Sequence, residues 1–242
     1  MIVRYWMTEM PIVAVDEMNL LEVIGLIRKH GIRRLPVVRN QELVGIITLS
    51  DIYQFGPPSL LLKEDLPDDL AEELRRRRVG DVMTESPITC EPNMPLEEAG
   101  LLMREKKVGS LPVMDKGKLV GIITGSDVLD ALASITRAGD DSIRICLSIP
   151  AADKLDFFYD IVEFCRRYWI DLLTILTHPL KGDKRHLVMI RVRGFRSNDF
   201  VQALWDNNYQ ILTMDDKTPL SKRSMKTCES FDVGDAEKEE KT

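Results

Sequence analysis

"LVGIITLSDI" at residues 43–52 returns as "LVGIITGSDV" at residues 119–128. Each copy is an apolar, strand-like run with a glycine near its head and an aspartate at its tail. Sliding the chain on itself by 76 positions aligns residues 3–52 with 79–128 without a gap, and roughly 22 of the 50 pairs are identical. The matches run from Met7-Thr8-Glu9 with Met83-Thr84-Glu85, through Leu35-Pro36-Val37 with Leu111-Pro112-Val113, to the quoted segments. Self-similarity at a fixed offset marks a duplicated structural unit.

Each copy reads strand, helix, strand, strand, helix. In the first, "NLLEVIGLIRKHG" sets Leu20, Val23, Ile24 and Ile27 on one helical face, and Gly31 is a stop signal. Asn19 and Glu22 have the spacing of a capping box. "RRLPVV" and "ELVGIIT" are then short strands about the turn "RNQ". In the second copy Pro95 stands where the helix begins, followed by "LEEAGLLMREKK", "SLPVMD" and "KLVGIIT". Between the copies, "GPPSLLLKEDLPDDLAEELRRRR" predicts a turn and a polar helix whose solvated end is Arg75–Arg78.

Past Arg137 the repeat is gone. "IRICLSI" alternates, with Ile143, Ile145, Leu147 and Ile149 on one side. "DKLDFFYDIVEFCRRY" has helical period, with a stripe of Leu155, Phe158, Val162 and Cys165. "IDLLTILTH" and "HLVMIRVRG" predict two strands joined by "PLKGDKR". "SNDFVQALWDN" predicts a helix with Phe200, Val201, Leu204 and Trp205 inward, and "YQILTM" a last strand. That βαββαβ order fits a ferredoxin-like layer of helices on an antiparallel sheet. The expected divisions are repeat 1 at 1–57, a helical linker at 58–78, repeat 2 at 79–137, a linker at 138–142, the βαββαβ domain at 143–215 and a mobile charged tail at 216–242. The fold class is therefore mixed α and β.

Composition bounds function. The 242 residues are 44% hydrophobic and 30% charged, ordinary for a globular protein. A net charge of −6 argues against a broad nucleic-acid face or an anionic membrane surface. No apolar run nears the roughly 20 residues of a membrane span, and the start has no secretory pattern. Four scattered cysteines (Cys90, Cys146, Cys165, Cys228) form no CxxC pair, so a reduced, cytoplasmic protein is expected. His30, His178 and His186 have no metal-ligand spacing with them. There is no GxxxxGK[ST] or GxGxxG loop, so neither catalysis nor a resident cofactor or metal is expected.

The tail of "GIITLSD" has its own chemistry. Thr48, Ser50 and Asp51 fall where a strand ends and a helix begins, where free N–H groups and the helix dipole suit a phosphate. The Asp51 carboxylate can accept from two vicinal hydroxyls, as on a ribose, and Thr48 can donate its hydroxyl to a phosphate oxygen. The alternative is that Asp51 and Asp127 only cap their helices. Two copies in one register favour a site.

"MTE.PI", "LPV" and "LVGIIT.SD", each present twice, resemble a tandem pair of CBS domains, or Bateman module, over nearly all of residues 1–137. The resemblance implies two copies packed about a pseudo-twofold axis, with two clefts for adenosine-containing ligands such as adenine nucleotides or S-adenosylmethionine. By position, the first cleft would use Thr8, Val13, Arg33, Arg34, Thr48, Ser50 and Asp51. The second would use Thr84, Thr89, Gly109, Ser110, Thr124, Ser126 and Asp127. Asp is expected on ribose, and the preceding Thr or Ser near phosphate. Arg33-Arg34 faces Gly109-Ser110 in the alignment, and both arginines can reach the shared middle, where polyphosphate charge would sit.

Residues 143–215 resemble an ACT domain, a module that senses small ligands, although the first strand-to-helix turn, "IPAADKL", lacks the glycine usual there. The order of modules resembles the acetoin-utilisation regulatory proteins of bacteria. These resemblances imply a non-enzymatic regulatory protein that forms a homodimer and signals to an unidentified effector protein. The competing classes are a structural dimerisation module with vestigial clefts and a sensor of a small metabolite or amino acid through the ACT-like domain.

Overall fold

The computed structural model describes residues 1–56, 67–180 and 184–215. The expected tail at 216–242, most of the loop "LKGD" and the first half of the inter-repeat linker lie outside these residues. The chain separates into two compact units, Met1–Leu132 and Ala133–Thr242. Among the described residues no helix is long and apolar enough to cross a membrane.

In the first unit, repeat 1 comprises β2 (Ala14–Val15), α1 (Leu20–His30), β3 (Arg34–Arg39), β4 (Glu42–Thr48) and the single turn α2 (Leu49–Ile52). The Asn19 side chain accepts from the Glu22 N–H at 3.0 Å, and Glu22 accepts from the Asn19 N–H at 2.9 Å. Two donors left open by the helix start are thus met reciprocally. Gly31 ends α1 in the left-handed region at φ 63°. The hairpin between β3 and β4 turns on Asn40 and Gln41, both at positive φ, as a two-residue turn that matches strand twist requires. Leu20, Val23, Ile24 and Ile27 of α1 bury against Leu35, Val37 and Ile47 of the sheet. The helix α3 (Asp68–Arg76) is more than a polar link, because Leu74 is fully buried in this core. Its basic end is solvated as expected, with Arg76 paired to Glu72 and Arg77 to Glu73.

Repeat 2 repeats the plan with α4 (Leu96–Lys106), β6 (Ser110–Asp115), β7 (Lys118–Thr124) and α5 (Gly125–Ile135). Its core gathers Leu96, Ala99, Met103, Leu111, Val113 and Ile123.

The two copies trade their leading segments. Strand β1 (Thr8–Glu9) pairs with β7, Thr8 opposite Ile122 and Glu9 opposite Gly121. Strand β5 (Thr84–Glu85) pairs with β4, Glu85 opposite Gly45 and Thr84 opposite Ile46. Val3, Trp6 and Met7 therefore pack in the core of repeat 2, and Val79, Val82 and Met83 in that of repeat 1. The glycine of each "LVGIIT" makes room for the incoming methionine. A Cβ on Gly45 would stand 2.3 Å from the Met83 sulfur, and one on Gly121 2.5 Å from that of Met7. The close approach is to protein, and it explains why glycine and methionine are duplicated together. Gly121→Ala is expected to destabilise the protein by about 1–3 kcal/mol, since the neighbour must shift inside a packed sheet. Chemical denaturation measures it, and Met7→Ala in the same chain should recover part of the loss.

The second unit runs β8 (Ile143–Pro150), α6 (Lys154–Tyr168), β9 (Asp171–Pro179), β10 (Arg185–Arg193), α7 (Ser197–Asp206), β11 (Gln210–Asp215). The sheet is antiparallel with strand order β11-β8-β10-β9. Ile143, Ile145, Leu147 and Ile149 bury together as the alternation predicts. Two helical faces differ from expectation. α6 buries Phe157, Ile161 and Phe164, while Leu155 is 70% and Val162 56% exposed. In α7, Phe200, Ala203 and Leu204 are buried and Trp205 is half exposed. The edge-to-face contact of Phe157 with Tyr209, centroids 5.1 Å apart, helps fix the α6 face.

Candidate functional site

Strand β7 delivers Thr124 to the start of α5, and the next three residues turn into the helix. One carboxylate oxygen of Asp127, Oδ2, accepts from both the Thr124 N–H and the Thr124 hydroxyl, each at 2.7 Å. In repeat 1 the Asp51 Oδ2 accepts from the Thr48 N–H at 2.7 Å and its hydroxyl at 2.8 Å. The capping role is therefore real in both copies. In this arrangement each threonine's hydroxyl proton is given to the aspartate three residues on. The second oxygen of each aspartate, Oδ1, has no hydrogen-bond partner among the described residues, so capping leaves an acceptor open.

A cavity of about 690 Å³ lies against this corner of repeat 2. It is lined by Thr124, Gly125, Ser126 and Asp127, by Thr8, Met10, Pro11 and Ile12 of the exchanged leading segment, and by Gly31 through Arg34. Gly109 and Leu129 complete its rim. The cavity thus has an apolar wall of Ile12, Ile122, Pro36 and Met10, a carboxylate at the helix start, and two arginines. Its volume falls in the range of about 300–1,000 Å³ of small-molecule sites.

This arrangement regroups the expected residues. Sequence alignment sets Thr8, Arg33 and Arg34 with Asp51, and Gly109 with Thr84. In the structure Thr8, carried over by segment exchange, and Arg33 and Arg34, at the head of β3 in repeat 1, meet Gly109, Thr124, Ser126 and Asp127 at one cavity. Thr84, carried by β5, stands beside β4 and so belongs with Thr48, Ser50 and Asp51. Val13, Thr89 and Ser110 do not line the cavity: Val13 is half-buried before β2, Thr89 is exposed, and Ser110 is buried on β6 opposite Thr124. The adjacent Ile12 lines the cavity instead.

Arg34 is half-buried and Arg33 exposed. Neither forms an ion pair with a carboxylate among the described residues. The Arg34 guanidinium lies over Gly109 so closely that a Cβ there would stand 2.7 Å from Nη1. Burial first, and then the charge of Arg33, pull Arg34 below the usual guanidinium range, while Asp127 pulls it back up. Positive charge is thus held next to the cavity without full compensation, which suits an anion.

Among the described residues, no three His, Cys, Asp or Glu residues gather as a metal would need. Burial pushes the Cys90 thiol up to about 11 and raises Cys165 as well, so both are poor nucleophiles near neutrality.

Comparison with known proteins agrees with the duplicated unit. The model of the CBS domain matches residues 3–56 and 79–134. A CBS domain-containing protein of Dictyostelium discoideum is 44% identical over 108 residues, which is 44% of this chain and 73% of that one. The chain belongs to the CBS-domain proteins and carries two CBS domains in tandem. Among solved structures, CBSX2 in complex with AMP is 29% identical, with TM-score 0.47, over 56% of this chain and 98% of that one. The CBS domain pair of protein MJ0100, in complex with 5′-methylthioadenosine and S-adenosyl-L-methionine, is 25% identical, with TM-score 0.45, over 55% and 97%.

Proposed function

We propose that this chain is a regulatory sensor of adenosine-containing nucleotides, with the Asp127 cavity as its receptor site. The observation that carries the reading is the meeting, in one cavity, of an open carboxylate oxygen, an apolar wall and a free arginine pair. Ribose hydroxyls donate to Asp127 Oδ1, the purine lies against Ile12 and Ile122, and the phosphates face the arginines. Because the cavity takes lining from both repeats, a ligand there ties the repeats together, and that is the change a partner would read. The protein works without catalysis in this reading.

Thermal shift with adenosine, AMP, ADP, ATP and S-adenosylmethionine tests it. A ligand that binds only the native state raises the melting temperature by mass action, about 2.7 kcal/mol of stabilisation at a hundred times its Kd. A shift with at least one of these compounds is expected, and none at millimolar concentration contradicts the reading.

The same reading includes a homodimer. Leu101 on α4 is 45% exposed, and a second copy would cover it. Light scattering should return twice the 27.6 kDa of one chain, and a monomer at working concentration contradicts it. For the second unit, strand order β11-β8-β10-β9 supports a ferredoxin-like, ACT-like module. With "PAADK" in its first strand-to-helix turn, we assign it to assembly rather than to amino-acid capture.

A further inference from the structure

We propose that the second unit holds an oxyanion site of its own, on the face of its sheet turned away from α6 and α7, where Arg191 and Arg144 bind a small phosphate, sulfate or carboxylate. The site is independent of the Asp127 cavity, and it does not use the first strand-to-helix turn of this unit.

Strand register brings the groups together. Ile143 and Ile145 of β8 bury toward the helices, so Arg144 between them falls on the opposite face. Arg191 of β10 stands directly across from Arg144, and Thr174 of β9 directly across from Arg191. β9 skips Leu173 at this point, a bulge of the kind that re-aims side chains. The segment leading from α5 into β8 borders the same row. Thr174 donates its hydroxyl to the Ile135 carbonyl at 2.7 Å, and Ser142 donates to the Asp140 carbonyl at 3.4 Å.

Arg191 is only 6% exposed. Its Nη1 donates to the Ser142 hydroxyl at 3.1 Å, and its Nε is buried with no acceptor. Among the described residues neither Arg191 nor the half-buried Arg144 forms an ion pair. The nearest acidic positions do not answer Arg191. Asp140 is paired with Arg137 at 3.6 Å, Asp141 is exposed, and Asp215 adjoins Arg144 on β11, two strands from Arg191. A guanidinium taken out of water with a neutral hydroxyl as its partner is unfavourable, because its charge loses hydration and gains no counter-charge. A second arginine directly opposite adds like-charge repulsion across the strand pair. An oxyanion answers both costs at once: it supplies the opposite charge, accepts paired N–H donors from a guanidinium edge, and can bridge the two arginines. The long Ser142 bond to Asp140 leaves that hydroxyl able to turn toward the anion.

Thermal unfolding of the full chain in millimolar sodium phosphate, sulfate or citrate, against chloride at matched ionic strength, tests the site. At least one of the three should raise the melting temperature of the second unit by about 4–8 °C once it exceeds several times its Kd. A response to phosphate and sulfate alone, or to citrate alone, supports the site and tells a tetrahedral anion from a carboxylate. Arg191→Met should abolish the response and, in chloride, unfold no earlier than the parent, since an apolar side chain of similar length removes the uncompensated charge. Arg144→Gln, at a half-buried position, should keep the fold and weaken the anion about ten- to a hundredfold. A parent protein indifferent to all three anions overturns the proposal, as does a response that both variants keep in full. An Arg191→Met protein that melts earlier than the parent in chloride also overturns it, for the arginine would then be a structural group satisfied by Ser142.

Discussion

Asp127→Ala is expected to bind adenine nucleotide about ten- to a hundredfold more weakly than the parent if the proposed site is right, and also to be less stable, by about 1 kcal/mol. The two effects have separate atomic origins. Oδ2 satisfies the Thr124 N–H and hydroxyl, and loss of such a helix cap costs about 0.5–2 kcal/mol of stability. Oδ1 is open, and a ribose hydroxyl given to a carboxylate is worth about 1.5–3 kcal/mol, hence the fold-change in affinity. Asp51→Ala is the internal control. It removes a cap of the same geometry, from the Thr48 N–H and hydroxyl, and so should cost similar stability. It does not line the Asp127 cavity and should leave affinity there unaltered. Calorimetry on both folded variants at one temperature separates the roles. Equal affinity in parent and Asp127→Ala would reduce the aspartate to a cap.

Phe157→Ala is expected to destabilise the second unit by about 3–5 kcal/mol, the range for deleting a large ring from a packed core. Phe157 is fully buried and meets Tyr209 edge to face, and the Tyr209 hydroxyl donates to Asp160. Leu155→Ala, on the same helix but 70% exposed, should change stability by no more than about 0.5 kcal/mol. Denaturant unfolding of the two variants compares them. A larger loss at Leu155 would mean that α6 buries the opposite stripe.

That pair also shows where reading the chain alone stops. Apolar residues of α6 fall on two stripes, Leu155-Phe158-Val162-Cys165 and Phe157-Ile161-Phe164, and period alone cannot choose between them. The choice is made by what the sheet and Tyr209 offer across the gap. Features settled within a few residues were legible: the Asn19–Glu22 capping box, the Gly31 stop, and the alternation of β8. So was the repeat, which carries the fold of the first unit. The exchange of leading segments was not. β1 and β5 are two residues each, too short for a pattern, and their partners lie far off along the chain. Only the repeated pairing of Met7 with Gly121 and Met83 with Gly45 records it, and that becomes visible once the strands are side by side. The place of Thr8 on the Asp127 side is a consequence of this exchange, whereas Arg33 and Arg34 come to the same cavity with the body of repeat 1. The threonine hydroxyls have a local partner that the spacing alone did not weigh: a carboxylate three residues on competes with any phosphate for the same proton.

The most direct test is a crystal structure of the full chain grown with saturating ATP. The predicted result is nucleotide in the Asp127 cavity, its ribose hydroxyls on Asp127 Oδ1 and its phosphates facing Arg33 and Arg34. A cavity without nucleotide under those conditions, or one whose bound phosphates point away from both arginines, would contradict it.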